Sequence, residues 1–301
     1  MKDIVIIGGG PAGLTAALYA ARAELDAVML EKDYQGGQMV TTEEVENYPG
    51  IIDITGPDLA NVMYEHAQKF GAKMEFNEVK EIKIDGDVKK VITNSGIYET
   101  KAIILSMGAK PRKLGVPRED ELGSKGISYC AICDGGFYRN KTVAVVGGGD
   151  TAVEDALYLS RIAKKVYLIH RRDSLRASKI LQSKLFESNV EVIWDSKVTE
   201  LKGDNKLNAI EIEYLKDSLR KELEMDGLFV AVGSIPTTAL VKDLVDLDPQ
   251  GYIIADENCA TSVDGIFAIG DIRTKHLRQV ITAAADGAIS VYEAEKYILN
   301  N

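Results

Sequence analysis

Cysteine is scarce in this chain of 301 residues, which contains three of them. Three thiols cannot build the disulfide framework of a small secreted protein, so we expect a cytoplasmic protein. Positive charge is also scarce, because 36 lysines and arginines stand against 46 aspartates and glutamates, a net charge of −10. This balance argues against nucleic acid or an anionic membrane as a partner. Any anion that binds must therefore be held by a local cluster.

The chain also lacks a continuous membrane-spanning run. The uncharged stretch from Ile4 to Ala21 resembles a signal peptide or a spanning helix, but Gly8 to Pro11 interrupts it near the middle. Glycine and proline at that point divide the stretch into a short strand and a separate helix. No other stretch is apolar for long enough to cross a bilayer, so we expect no membrane partner.

A repeated unit is present instead. Residues 2–22 (KDIVIIGGGPAGLTAALYAAR) align without a gap with residues 141–161 (KTVAVVGGGDTAVEDALYLSR). Each segment is followed by a second apolar run, Ala27–Glu31 and Val166–His170. Each unit therefore predicts a strand, a glycine turn, a helix and a second strand, the pattern of a Rossmann-like dinucleotide-binding fold.

The glycines of this pattern have separate roles. The first allows the tight turn, the second lets a pyrophosphate approach the backbone, and the third position lets helix and strand pack closely. The helix that follows offers free N–H groups and a partial positive charge to the phosphates. One copy alone could be a glycine turn without a nucleotide, and the second copy argues against that alternative. The predicted glycines are Gly8, Gly10 and Gly13 in the first copy and Gly147 and Gly149 in the second.

The residue that ends the second strand predicts which nucleotide each unit binds. Glu31 stands there in the first unit, and an acid at this position accepts hydrogen bonds from a free ribose, as in FAD or NAD. The second unit has His170, followed by Arg171, Arg172 and Arg176. Guanidinium groups bind phosphate through charge-assisted hydrogen bonds. We therefore expect the 2′-phosphate of NADPH at the second unit, the alternative being a solvated basic strand end.

Cys130 and Cys133 form a C-x-x-C pair between the two glycine patterns. A zinc site would need two more nitrogen or sulfur ligands, and the third cysteine and three scattered histidines offer no second pair, so we expect no metal. Two unreactive core cysteines would leave the close spacing unexplained. In a chain with two nucleotide sites the pair indicates a redox-active dithiol.

Further apolar runs predict the rest of the sheets. Ala102–Gly108, Gly227–Gly233 and Gly265–Gly270 are typical of parallel strands covered on both faces. The alternating stretch from Val79 to Tyr98, with a turn at Asp85–Asp87, predicts an antiparallel hairpin.

The length and the proline positions predict two domains. Pro111 and Pro117 flank the crossing into the second nucleotide unit, and the return falls between Pro236 and Pro249. The fold class that follows is α/β, with two Rossmann-like dinucleotide-binding domains, the second inserted into the first. We predict one domain over residues 1–113 and 244–301 and the other over residues 114–243.

Six motifs stand in the order of a known family: Gly8–Gly13, Gly36–Gln38, Val45–Gly50, Cys130–Gly135, His170–Arg176 and Gly270–Arg273. With them the chain resembles, over nearly its whole length, the low-molecular-weight bacterial thioredoxin reductases. These flavoenzymes pass electrons from NADPH through FAD and an internal disulfide to thioredoxin.

The resemblance implies FAD in the first domain. Gln38 and Asn47 would line the flavin, Asp271 would bind its ribityl or phosphate end, and Gln279 would lie near its ring. Ser106-Met107-Gly108 replaces the more usual Ala-Thr-Gly, a difference that we expect to affect packing alone.

The resemblance also implies roles in the inserted domain. Cys133 would face the flavin, Cys130 would attack the partner, and Asp134 would donate and accept the proton. The implied partner is thioredoxin or a thioredoxin-like protein, and the implied assembly is a homodimer. Two alternatives stay open. A flavin disulfide reductase fed by ferredoxin would lack the basic triplet, and a non-enzymatic flavin redox sensor would not turn over NADPH with a disulfide.

Overall fold

The chain divides into two units in the computed structural model, which describes residues 1–42 and 44–301. Unit 1 comprises Met1–Lys110 and Ile235–Asn301, and unit 2 comprises Pro111–Ser234. Unit 2 is thus inserted into unit 1, as the sequence predicts. In the part of the chain that the structure describes, no helix combines the length and the apolar character needed to cross a membrane.

The units meet a few residues earlier than the predicted boundaries after residues 113 and 243, namely after residues 110 and 234. The larger difference, at the second boundary, is explained by packing. Val241 and Val245 are buried in the same core cluster as Ile253 and Ile272 of unit 1. The segment that follows Ile235 therefore belongs to unit 1.

The helices and strands follow in chain order. Up to the first crossing they are β1 (Lys2–Ile7), α1 (Pro11–Arg22), β2 (Ala27–Glu31), α2 (Gly56–Lys69), β3 (Lys73–Phe76), β4 (Val79–Asp85), β5 (Val88–Thr93), β6 (Ile97–Leu105) and β7 (Ala109–Pro111). Those up to the return are β8 (Ile127–Ser128), α3 (Ala131–Asp134), β9 (Thr142–Gly147), α4 (Asp150–Leu159), β10 (Lys165–Ile169), α5 (Lys179–Phe186), β11 (Glu191–Ile193), β12 (Ser196–Lys202), β13 (Ala209–Tyr214), β14 (Arg220–Glu224), β15 (Gly227–Ala231) and β16 (Ser234–Pro236). The last are β17 (Ile266–Ala268) and α6 (Val280–Asn300).

The sheet of unit 1 has the strand order β3-β2-β1-β6-β5-β4, with β17 beside β6. Strands β1, β2, β3, β6 and β17 run parallel, whereas β4 and β5 form the predicted antiparallel hairpin. Residues Ile4 to Ile7 of β1 are all buried, as expected for a parallel strand covered on both faces. Helices α1 and α6 cover one face. A Cβ on Gly287 of α6 would lie 2.5 Å from the carbonyl oxygen of Ala12, so the two helices are in close contact.

Unit 2 contains a five-stranded parallel sheet in the order β11-β10-β9-β15-β8 and a separate antiparallel sheet, β12-β13-β14. In each unit the strand before the glycine turn is central, with β2 and β6 beside β1 and with β10 and β15 beside β9. In folds of this kind, dinucleotides bind at the carboxyl ends of the central strands, where the strand order reverses direction. The fold thus puts one candidate site at the end of β1 and another at the end of β9.

Candidate active site

The first glycine turn brings strand and helix together and leaves one side open. Gly8 has φ +108°, a conformation that favours glycine. A Cβ on Gly13 would lie 1.9 Å from the carbonyl oxygen of Gly8, so no larger residue fits. A Cβ on Gly10 would meet no atom within 4 Å. Because α1 begins at Pro11, its free N–H groups lie at this open side, where a phosphate could bind.

The second glycine turn repeats this arrangement. A Cβ on Gly147 would lie 2.4 Å from the carbonyl oxygen of Ala231, whereas a Cβ on Gly149 would meet no atom within 4 Å. Helix α4 begins at the next residue, Asp150. The second turn is therefore also open at the position where a pyrophosphate approaches.

The residue that ends or follows the second strand contacts the middle glycine in both units. The Glu31 carboxylate accepts a hydrogen bond from the Gly9 N–H at 2.6 Å. In unit 2 the His170 ring packs on Gly148, since a Cβ there would lie 2.2 Å from Cε1 of His170. The repeat thus gives Glu31 and His170 the same place beside their glycine turns.

The basic cluster lies next to His170. Burial, together with the charges of Arg172 and Arg176, lowers the pKa of His170 below its usual value, so the ring is neutral near pH 7. The Arg176 N–H donates to the carbonyl oxygen of Gly148 at 2.7 Å, which ties the cluster to the turn. Arg171, Arg172 and Arg176 are exposed, and among the residues described here no carboxylate forms an ion pair with them. In a chain of net charge −10, three unpaired guanidiniums are suited to an anionic ligand.

The residues predicted to contact a flavin all lie in unit 1. The Asn47 side chain donates to Oε1 of Gln279 at 3.0 Å, so the structure brings these two together although they are 232 positions apart. The Gln38 side chain donates a short hydrogen bond to the carbonyl oxygen of Ala109.

Asp271 holds a buried acceptor that lacks a partner. Its Oδ1 atom is buried and accepts no hydrogen bond from the described part of the chain, and burial raises its pKa. An unpaired buried acceptor costs about 1–3 kcal/mol. Asp271 is therefore suited to accept a hydrogen bond from a hydroxyl of a bound ligand.

A buried ion network adjoins Asp271. The Asp286 carboxylate accepts hydrogen bonds from Gly270 N–H at 2.9 Å, from Arg273 Nε at 3.0 Å and from Lys275 Nζ at 2.8 Å. These side chains are no more than 12% exposed. The network fixes the backbone on both sides of Asp271. Sequence reasoning missed Asp286, although it is the single charged residue between Val280 and Tyr292.

Ser106 does more than fill space, which corrects the expectation that the Ser-Met-Gly variation affects packing alone. Its hydroxyl lies 2.8 Å from the carbonyl oxygens of both Ile7 and Gly8. These carbonyls end β1 and begin the glycine turn. Ser106 therefore bonds the backbone of the first nucleotide turn, a role that an alanine there could not have.

The predicted redox pair is a disulfide in unit 2. The sulfur atoms of Cys130 and Cys133 are 2.11 Å apart. Cys130 caps the short helix α3, and its Sγ accepts a hydrogen bond from the Cys133 N–H at 3.2 Å. Both cysteines are half-buried. Asp134 ends the helix and is also half-buried.

Two further residues hold this redox segment, and sequence reasoning named neither. Ser128 Oγ lies 2.5 Å from Oδ2 of Asp134 and accepts from the Cys130 N–H at 3.1 Å. The Tyr129 hydroxyl donates to Glu119 at 2.8 Å, and burial with this bond raises the pKa of Tyr129, which stays protonated. The signal for Ser128 was its position two residues before the C-x-x-C pair, where serine forms local turns.

No group of three metal-ligating side chains occurs in the described residues. The residues predicted to bind nucleotides or to form the disulfide are divided between the two units. Those assigned to the flavin lie in unit 1, and the cysteines, Asp134 and the basic cluster lie in unit 2.

Comparisons with known proteins identify the family of this chain. The family model for pyridine nucleotide-disulphide oxidoreductases matches residues 2–287. The thioredoxin reductase of Listeria innocua serovar 6a is 47% identical over 299 residues, which cover 98% of this chain and 93% of that protein. The thioredoxin reductase of Bacillus subtilis strain 168 is 45% identical over 299 residues, covering 98% and 94%. The crystal structure of thioredoxin reductase from Streptococcus pyogenes MGAS5005 is 48% identical, covers 100% of this chain and 99% of that one, and superposes with a TM-score of 0.94. The chain therefore belongs to the pyridine nucleotide-disulphide oxidoreductase family and, within it, to the thioredoxin reductases.

Proposed function

We propose that this protein is an NADPH-dependent, FAD-containing thioredoxin-disulfide reductase. The observation that carries the proposal is the half-buried Cys130–Cys133 disulfide, with Asp134 beside it, in the unit that holds the second glycine turn. A dithiol that accepts and passes on two electrons needs this exposure and an adjacent proton donor. The names of the relatives supply thioredoxin as the partner.

FAD fits the first nucleotide site. The open side of Gly10 and the first turn of α1 would hold its pyrophosphate, and Glu31 would accept from its ribose. Asp271, with its unpaired buried oxygen, would accept from the ribityl chain, and the Asn47–Gln279 pair would line the ring. When bound, the flavin takes up a hydride from NADPH and supplies the two electrons that open the disulfide.

NADPH fits the second nucleotide site. Gly149 and the N-terminus of α4 would hold the pyrophosphate, and Arg171, Arg172 and Arg176 would hold the 2′-phosphate. The neutral His170 ring would pack beside the adenosine without adding a charge.

The opened dithiol reduces thioredoxin in two exchanges. The Cys130 thiolate attacks one sulfur of the thioredoxin disulfide, so that a mixed disulfide forms and the other thioredoxin sulfur leaves as a thiolate, which takes a proton from Asp134. The Cys133 thiolate then attacks the Cys130 sulfur, which restores the Cys130–Cys133 bond. The second thioredoxin thiolate leaves and takes a proton from water. Two electrons and two protons have then passed to thioredoxin.

We also propose a cytoplasmic homodimer. Three side chains on one face of α6 support the second copy as a partner, since Ile281, Ile289 and Tyr292 are 42%, 38% and 61% exposed. An apolar stripe of this kind is typical of a face that another protein covers. Sedimentation of the wild type and of Tyr292→Lys would test this, because the variant should sediment as a monomer.

The test of the function is an anaerobic titration followed by turnover. We expect the purified protein to be yellow, to bleach with NADPH, and to recover its colour when oxidised thioredoxin is added. The Cys133→Ser variant is the control, because it should bleach and then stay bleached with thioredoxin. A colourless protein that takes up no FAD, or a yellow protein that thioredoxin cannot reoxidise, would contradict the proposal.

A further inference from the structure

Asp150 is the first residue of helix α4 and follows the second glycine turn directly. Its side chain is exposed, and its Oδ1 atom accepts a hydrogen bond from the Ser178 N–H at 2.6 Å. Ser178 is the residue before α5, 28 positions further along the chain. One carboxylate therefore connects the starts of two helices of unit 2.

The segment that this bond holds carries the basic cluster. It comprises residues 170–178, between β10 and α5. Two bonds attach it to the start of α4, because the Arg176 N–H donates to the carbonyl oxygen of Gly148 at 2.7 Å and the Ser178 N–H donates to Asp150. The donors are two residues apart, and so are the acceptors. A single bond would leave the segment free to turn about it, whereas two bonds also fix its direction.

From this geometry we propose that Asp150 is a positioning residue that aligns the basic cluster with the second glycine turn and so determines the preference for a 2′-phosphate. The inference rests on the proposed function, in which the turn holds the pyrophosphate of NADPH and the cluster holds its 2′-phosphate. Both groups belong to one molecule, so the spacing of turn and cluster must match the spacing of the phosphates. Guanidinium groups bind phosphate in a planar, directional geometry, which makes this alignment important.

Other contacts attach the segment without fixing this alignment. Leu175 and Ala177 are buried in the same apolar cluster as Ala152 of α4. Apolar contacts are non-directional. The Gln182 side chain donates to the carbonyl oxygen of Ala177 at 2.6 Å, which attaches the segment to α5 and not to the turn. We therefore expect variants of Asp150 to fold and the alignment of the cluster to change.

The charge of Asp150 predicts an effect of the opposite sign. A carboxylate near bound phosphates repels them, and a 2′-phosphate adds up to about two negative charges to the ligand. Removal of the carboxylate would, by charge alone, strengthen binding of the 2′-phosphorylated ligand more than binding of its counterpart. Loss of alignment would instead weaken it. The sign of the change thus separates positioning from electrostatics.

The experiment measures the Kd of the full-length protein for 2′-phospho-ADP-ribose and for ADP-ribose by calorimetry, at about 0.15 M salt. Both ligands contain the adenosine and the pyrophosphate but lack nicotinamide, so their binding involves no hydride transfer. The ratio of the two Kd values expresses the preference for the 2′-phosphate. For Asp150→Ala we expect this preference to fall about 5- to 10-fold, less than the loss of a whole charge-assisted bond. The Kd for ADP-ribose should stay within about threefold of the wild-type value.

Two variants complete the design. Asp150→Asn removes the charge but keeps an oxygen that can accept from the Ser178 N–H, so its preference should equal or exceed that of the wild type. Asp226→Ala is the matched control, because the Asp226 carboxylate also accepts from a backbone N–H in unit 2, that of Thr142 at 2.9 Å. Thr142 begins β9, at the opposite end from the glycine turn. This variant should leave both Kd values unchanged.

The outcomes separate the two proposals. A lower preference in Asp150→Ala that Asp150→Asn does not show supports the inference. An unchanged or higher preference in Asp150→Ala, or an equal fall in both variants, overturns it while the proposed function stands. A wild type that binds both ligands equally would instead reject the 2′-phosphate site of the proposed function, and the inference with it.

Discussion

The Asp286 network should determine the stability of unit 1. The Asp286→Asn variant keeps the shape of the side chain and removes its charge, which leaves the buried cations Arg273 and Lys275 without their counter-ion. Breaking a buried ion pair in this way costs about 3–5 kcal/mol. For a domain of this size each kcal/mol lowers Tm by roughly 2–4 °C, so we expect a loss of about 6–20 °C for unit 1.

Calorimetry combined with tryptophan fluorescence would measure this loss. Trp194 is the single tryptophan of the chain and lies in unit 2, so its fluorescence reports unit 2, while calorimetry reports both units. Asp85→Asn is the control, because Asp85 forms an exposed ion pair with Lys90 in unit 1, and it should not shift Tm measurably.

The pH dependence gives a second check. Burial opposes ionisation of Asp286, but hydrogen bonds from Arg273 and Lys275 prevail and lower its pKa. A carboxylate whose pKa is lowered by folding stabilises the fold at pH values above its pKa in the unfolded chain, which is near 4. It loses that contribution as pH falls through its pKa in the folded protein. The difference in Tm between wild type and Asp286→Asn should therefore be constant near neutral pH and become smaller below about pH 4. An unchanged Tm, or a difference that persists to the lowest pH, would refute this reasoning.

Three other predictions concern the sites. Arg176→Ala should lower kcat/KM for NADPH by about 10- to 150-fold, because one charge-assisted hydrogen bond contributes about 1.5–3 kcal/mol, and should leave kcat/KM for NADH unchanged. Equal kcat/KM for both nucleotides in the wild type would contradict a 2′-phosphate site. Cys130→Ser and Cys133→Ser should each abolish thioredoxin reduction while NADPH still reduces the flavin in a stopped-flow trace, and full activity of either would exclude the assigned dithiol. Gly10→Ala should fold normally, because the added Cβ meets open space, but it should lose FAD on gel filtration. Gly13→Ala should not fold, because its Cβ meets the Gly8 carbonyl. A Gly10→Ala protein that retains its flavin would argue against a pyrophosphate at this position.

The repeat in the sequence predicted both nucleotide folds, because a strand, a glycine turn and a helix are local patterns. The return crossing was predicted nine residues too late, since Val241 and Val245 are apolar in either domain and only their packing assigns them to unit 1. The structural roles of Ser106 and Asp286 were not predicted, for a related reason. The partner of Ser106 is a backbone carbonyl 99 positions away, and the partners of Asp286 are cations 13 and 11 positions away on a separate loop segment before α6, and neither composition nor periodicity records such contacts.

The insertion also determines the order in which the protein can fold during synthesis. The core shared by α1 and α6 needs side chains from Ile4 to Met29 together with others from Phe267 to Ala294. Between them the ribosome makes more than two hundred residues, which takes on the order of 10–50 s at normal rates. Unit 2, whose residues are contiguous, can complete its sheet in that interval. Strand β1 and helix α1 are synthesised long before α6, so their apolar side chains lack part of the core that covers them until α6 has emerged.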